Sequence, residues 1–163
     1  MKIELSELFK KQAELDETIA VNHHVSYATT RERRIMALIV EIGELANATR
    51  CFKYWSNKPS EPKDIVLDEY ADGLHFLLSL GIPLKTTKFE YELSENEEDL
   101  TNQFHKMYAL GNALNEHYDL DNYVKAMQYY LNLALSIDMS ADDIVDSYKK
   151  KLSVNHKRQE TNY

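Results

Sequence analysis

A chain of 163 residues with 44% hydrophobic residues, four glycines and three prolines is long enough to bury a core without disulfide or metal staples. Its composition excludes disordered and membrane-spanning classes. A net charge of −8 excludes general binding to nucleic-acid backbones, which calls for a broad basic surface, and leaves room for divalent cations. Helical periodicity dominates from the start. Ile3, Leu5, Leu8, Phe9, Leu15 and Ile19 predict an amphipathic helix over about residues 3 to 20. The opening residues are charged and amphipathic rather than a basic segment before an apolar stretch and cleavage site, so no secretory signal is expected. With the lone Cys51 unable to form an internal disulfide, a reducing, cytoplasmic location without membrane association is expected.

After a connection at residues 23 to 29, Thr29 and Glu32 resemble a capping box that opens a second helix running to about Arg50. The stretch "SNKPSEPKD" holds two prolines and predicts a loop, with Pro62 suited to the first turn of a third helix that ends near Leu80, before Gly81-Ile82-Pro83. Residues 84 to 99 read as an acidic, solvated connection. Ser94 with Glu97 suggests a cap for a fourth helix over about 95 to 117, residues 118 to 122 a turn, and residues 123 to 137 a fifth helix. Ser140 with Asp143 announces the last. These elements predict an all-α helical bundle in one domain, residues 1 to 163.

Two acid pairs stand out. On a wheel of about 100° per residue, Glu41 and Glu44 fall within about 60° of each other, opposite the stripe of Ile35, Ile39, Ile42 and Ala46. Glu69 and Asp72 repeat the arrangement on the next helix, opposite Leu67, Tyr70, Leu74, Leu77 and Leu78. Neither pair has a lysine at i+4, as a salt-bridged solvent face usually does. Antiparallel packing across the Pro-containing loop brings four carboxylates to one space, where they must hold protons or bind cations. Oxygen donors select a hard ion, Mg²⁺ or Mn²⁺.

The pattern Glu41-x-x-Glu44, 24 residues, Glu69-x-x-Asp72 resembles the metal signature of the all-α nucleoside triphosphate pyrophosphatases, which include MazG-type enzymes and dimeric dUTPases. "FKYW" at 52 to 55, Lys58-Pro59, "DEYADGLHFLLSLGI" at 68 to 82 and "QAELD" at 12 to 16 are similar to the dimeric dUTPase branch, in its bacterial and phage members. So is the tail pattern of Tyr148, Lys151, Asn155, Arg158, Gln159 and Tyr163. The usual glycine before that last tyrosine is Asn162 here, and asparagine tolerates positive φ. The tail also concentrates charge. Five basic residues and one acid give the last 16 residues +4, against −12 for the 147 before them.

The resemblance implies Mg²⁺-dependent hydrolysis of dUTP to dUMP and pyrophosphate by a homodimer, with dUDP a further substrate. It implies Glu41, Glu44, Glu69 and Asp72 as metal ligands, with Glu44 assigned as the base that activates water. Lys53, Lys151 and Arg158 are candidates for phosphate, Asn155 and Tyr148 for sugar or phosphate. Trp55 and Gln12, with Asp16 one turn on, are candidates for the uracil ring and its edge, and His75 for an approach to the base. Two other functions share the fold: a MazG-like or dCTP-directed pyrophosphatase, and a non-catalytic helical module that binds a regulator. Tyr- and Leu-rich faces between residues 104 and 137 suit either a dimer interface or intramolecular core.

Overall fold

The computed structural model describes residues 1–86 and 88–162, so the expected tail residue Tyr163 lies outside the described residues. It is an all-α bundle with one small exception. Six helices run as α1 (Ser6–His23), α2 (Tyr27–Thr49), α3 (Lys63–Gly81), α4 (Leu100–Glu116), α5 (Leu120–Ser136) and α6 (Ala141–Glu160). Among the described residues they are joined by a two-stranded antiparallel sheet, β1 (Lys2–Glu4) and β2 (Glu90–Glu92). No helix among the described residues is long and apolar enough to cross a membrane.

The sheet corrects two expectations. The chain begins as a strand, and α1 starts at Ser6 rather than residue 3. Ile3 is buried and pairs with Tyr91, while Lys2 and Glu4 sit opposite Glu92 and Glu90. Part of the acidic connection is therefore structured. Lys2 pairs with Glu90 at 2.9 Å, the terminal ammonium with Glu92, and Leu5 N–H donates to Phe89 O at 2.9 Å.

Helix starts follow local hydrogen-bond chemistry. Ser26, not Thr29, caps α2, and Thr29 supplies the returning bond of the capping box. Asp99, not Ser94, caps α4 by accepting from Thr101 N–H, and Asp119 caps α5, which starts at Leu120, three residues before the expected start. The Ser140–Asp143 box opens α6 as the sequence suggests. Pro62 is the residue before α3 rather than part of it.

α2 and α3 are antiparallel: contacts that step forward along α2, from Arg34 to Glu41, step backward along α3, from Ser79 to Asp72. The loop between them closes by Glu61 N–H donating to Ala48 O at 2.9 Å. α3 is the central helix, with every residue from Gly73 to Gly81 except Phe76 buried. α5 packs onto it through tyrosines. Tyr130 and Tyr70 stack at 4.4 Å between centroids, and each hydroxyl donates to the other's backbone carbonyl, at 2.7 and 2.8 Å. The Tyr and Leu faces of α4 and α5 thus form intramolecular core, with Phe104, Met107, Leu114, Tyr123, Tyr130 and Leu131 all buried. Cys51 is a free, half-buried thiol packed against the core.

Candidate active site

The antiparallel α2–α3 pair carries the acids to one place because i, i+3 residues on each helix lie on the face turned to the other. Glu41, Glu69 and Asp72 each offer a carboxylate oxygen within 4.8 Å of the others. Glu44, exposed at the rim, is not within that set, yet its charge raises both Glu41 and Glu69. Burial, then Asp72 and Glu44, push Glu41 up to about 8, and burial, then Glu44 and Asp72, push Glu69 up to about 7. Glu41 Oε2 and Glu69 Oε2 are buried with no hydrogen-bond donor. An acceptor buried without a donor is costly, and here two sit together beside further carboxylates. Protons or a cation answer that cost. The donor set, all hard oxygens, fits a hard divalent ion.

One cation is already built in. Lys151, only 6% exposed, reaches from α6 to Asp68 Oδ1 at 2.8 Å and Asp72 Oδ1 at 3.0 Å. Burial raises the Asp72 carboxyl, and Lys151 holds it back. The ammonium expected to meet phosphate is thus engaged with two carboxylates. Asp68 was not anticipated from the sequence. It lies four residues before Asp72, so the same helical face announces it.

The tail motif proves to be one stripe of α6. Tyr148, Lys151, Asn155 and Arg158 recur at intervals of three and four, the spacing of a single helix face. Arg158 Nη1 donates to Asn155 Oδ1 at 3.4 Å, and Asn22 ties α1 to the end of α6 through Gln159 Oε1 at 3.2 Å. Asn162 takes φ 57°, in the left-handed region that asparagine tolerates.

Between α1, α2, α3 and α6 lies a cavity of about 720 Å³. Gln12, Asp16, Glu41, Asp72, His75, Asn155 and Arg158 line it, so seven of the expected site residues share one space. Leu15, Ile19, Val25, Phe76 and Ile82 give it apolar wall as well. His75 is 5% exposed, stacks on Tyr148 at 4.3 Å, and has both ring nitrogens unpartnered. Burial, joined by the charge of Lys151, pushes its imidazole down to about 4, so it is neutral at physiological pH.

Tyr148, the candidate for sugar or phosphate, is wholly buried and donates to Gln12 Oε1 at 3.0 Å. Gln12 Nε2 donates to Asp16 Oδ1 at 3.0 Å, and Tyr27 Oη donates to Asp16 Oδ2 at 3.0 Å. Lys53 and Trp55 are not among the cavity's lining residues. They sit on the loop after α2, where Trp55 is 63% exposed and packs edge-on against Phe52 and Tyr54. Tyr27 and Arg34, also unforeseen, do line the cavity. Both stand whole multiples of seven residues before Glu41, and seven residues is close to two helical turns, so they share its stripe.

A cavity of about 720 Å³ whose lining joins two acids of the cluster with the Arg158 guanidinium and the Gln12 and Asn155 amides now stands beside the family comparison. The sequence matches the family model described as dUTPase over residues 4–163. The chain belongs to the dUTPase family. It is a dUTP diphosphatase of the all-α type, a hydrolase of nucleotide metabolism whose substrate is dUTP. No curated protein matches the chain. Membership gives the acid cluster a purpose: dUTPases generally use a divalent metal, and Glu41, Glu69 and Asp72 form a possible acidic site for one.

Proposed function

We propose that the enzyme hydrolyses dUTP to dUMP and pyrophosphate with Mg²⁺, for which Mn²⁺ can substitute, held by Glu41, Glu44, Glu69 and Asp72. dUDP is a second substrate. The observation that carries this reading is the pair of buried, donorless oxygens, Glu41 Oε2 and Glu69 Oε2, in a cluster that only protons or a cation satisfy. A bound divalent ion supplies neutralisation of the polyphosphate and polarisation of the phosphorus under attack.

The chain's own groups do the rest. Glu44, at the solvent-facing rim of the cluster, is the base that takes the proton from the attacking water. Arg158 and Asn155 face the same cavity as the acids and hold the triphosphate and sugar. Lys151 keeps Asp68 and Asp72 in place and adds positive charge on which phosphate oxygens can draw. Gln12 reads the edge of the uracil, and neutral His75 offers an unpartnered ring nitrogen beside it.

Residues 1 to 163 work as one domain, with the basic end of α6 closing the site, in a soluble cytoplasmic homodimer of the bacterial and phage type. Met36 and Val40, one turn apart on α2 and exposed, support an apolar contact with a second copy. Lys53 and Trp55 meet phosphate and base when their loop folds inward or a second copy presents it. Pyrophosphate release from a panel of dUTP, dUDP, dCTP and dTTP, with and without Mg²⁺, tests the reading; failure of dUTP to turn over under any metal condition overturns it.

A further inference from the structure

We propose that Asp16, held by Tyr27 and Arg34, is a positioning residue that fixes which way round the Gln12 carboxamide faces the cavity, and so makes the pocket accept uracil and refuse cytosine. The inference rests on Gln12 as the residue that reads the base edge.

An amide presents a donor on one side and an acceptor on the other, and turning it over exchanges them. In isolation, Gln12 can match either base by turning over. Uracil offers an N3–H donor between two carbonyl acceptors. Cytosine offers an acceptor at N3 beside an amino donor. Discrimination therefore needs an amide that cannot turn.

The surroundings of Gln12 provide this. Asp16 Oδ1 accepts from its nitrogen at 3.0 Å; burial raises that carboxyl, while the hydrogen bonds from Gln12, Ser79 and Tyr27 and the charge of Arg34 hold it back. On the other side, the Tyr148 hydroxyl donates to Gln12 Oε1 at 3.0 Å. Turning the amide over sets its carbonyl oxygen against a carboxylate and forfeits the bond to Asp16, in a side chain 3% exposed where water cannot repair the loss; the Tyr148 hydroxyl, which can accept as well as donate, leaves that choice to Asp16. The remaining Nε2 hydrogen and Oε1 lone pair are the complement of uracil's carbonyl and N3–H. Against cytosine the same Oε1 meets the N3 lone pair.

Asp16 itself is held from behind. Tyr27 donates to its second oxygen at 3.0 Å. Arg34 fixes Tyr27, donating to its carbonyl at 2.8 Å with the guanidinium 4.9 Å from the ring centroid, and is anchored on α3 by Ser79 O at 3.1 Å. Three helices thus contribute to one rigid relay.

The test is kcat/KM for dUTP, dCTP and dTTP in wild type, Asp16→Asn and Tyr27→Phe. Asparagine in place of Asp16 offers either a donor or an acceptor, so Gln12 is released. The dUTP-to-dCTP ratio should fall by about tenfold or more. Tyr27→Phe, which keeps the carboxylate and loosens it, should lower the ratio less and serves where Asp16→Asn is unstable. The dUTP-to-dTTP ratio should hold in both, because thymine presents the same edge as uracil. A common loss on all three substrates means a structural role only and overturns the proposal, as does an unchanged dCTP ratio in both variants. A wild type inactive on dUTP overturns the functional reading as well, whereas an active wild type whose variants keep their ratios overturns the lock alone.

Discussion

Lys151 Nζ lies 3.0 Å from Asp72 Oδ1, so the acid cluster carries its own counter-charge on α6. Removing that charge leaves Asp72 facing Glu41 and Glu69 with only the weaker pull of Arg158 for relief. The pair is neither fully buried nor free in water, with Asp72 23% and Asp68 58% exposed, so the cost falls between those of surface and buried ion pairs. Lys151→Met should destabilise the metal-free enzyme by about 1–2 kcal/mol, read by urea denaturation. Mg²⁺ should recover part of that loss, because it supplies the missing charge.

The cluster also sets a pH dependence. Folded Glu41 and Glu69 titrate near 8 and 7, above the carboxylate range of about 4.3 in an unfolded chain, so the folded state binds more protons between those limits. Stability of the metal-free enzyme must then decline as pH rises through that interval. His75, held down to about 4, acts in the opposite sense, but only below its unfolded value of about 6.5. Of these three groups, only the two acids change between pH 6.5 and 8. Thermal melts without metal should show Tm falling across this window, and saturating Mg²⁺ should raise Tm more at pH 8 than at pH 6.

Glu41 and Glu44 should separate under the same mutation. Glu41→Gln removes a carboxylate that burial and its neighbours disfavour, so the metal-free enzyme at pH 8 should become more stable while Mg²⁺ binding, followed by calorimetry, weakens by at least the roughly 10–100-fold typical of outer partners. Glu44→Gln alters an exposed side chain whose charge presses on Glu41 and Glu69, so the Tm of the metal-free enzyme should rise slightly rather than fall. Its kcat on dUTP should drop by about 10²–10⁴ if it is the base.

Much of this site was legible because helix geometry turns sequence spacing into direction. The two i, i+3 acid pairs and the Pro-containing loop suffice to predict a shared space, and the carboxylates of Glu41, Glu69 and Asp72 meet there. The same rule was available for Tyr27 and Arg34, but a tyrosine and an arginine near a helix start have no chemistry of their own to flag them. Lys151 and Tyr148 were visible as motif positions. Their partners were not, since only packing decides whether an ammonium meets phosphate or Asp68. The strands β1 and β2, three residues each, are too short for alternation to register, and β2 sits among acids that read as solvent-facing. Between Ser26 and Thr29, or Ser94 and Asp99, local preference does not choose a cap; the turn that packs does.

Gly73 tests the core beneath the site. It lies one residue after Asp72 on α3, and a Cβ built there falls 2.2 Å from Tyr130 Oη and 2.9 Å from its Cζ. That hydroxyl is tied to Tyr70 O at 2.7 Å, so it cannot swing aside without giving up a buried hydrogen bond. Gly73→Ala should gain a few tenths of a kcal/mol to about 1 kcal/mol in helix propensity and lose about 1–3 kcal/mol to overpacking, a net loss in chemical denaturation. Tyr130→Phe in the same chain removes the nearest atom but leaves the ring in place, so it should restore only part of the loss. Because Asp72 is the preceding residue on the helix, any shift of α3 that relieves the clash should also weaken Mg²⁺ binding. A Gly73→Ala protein as stable as wild type, with unaltered metal affinity, would show that α3 and α5 are packed more loosely than the stacked Tyr70–Tyr130 pair implies.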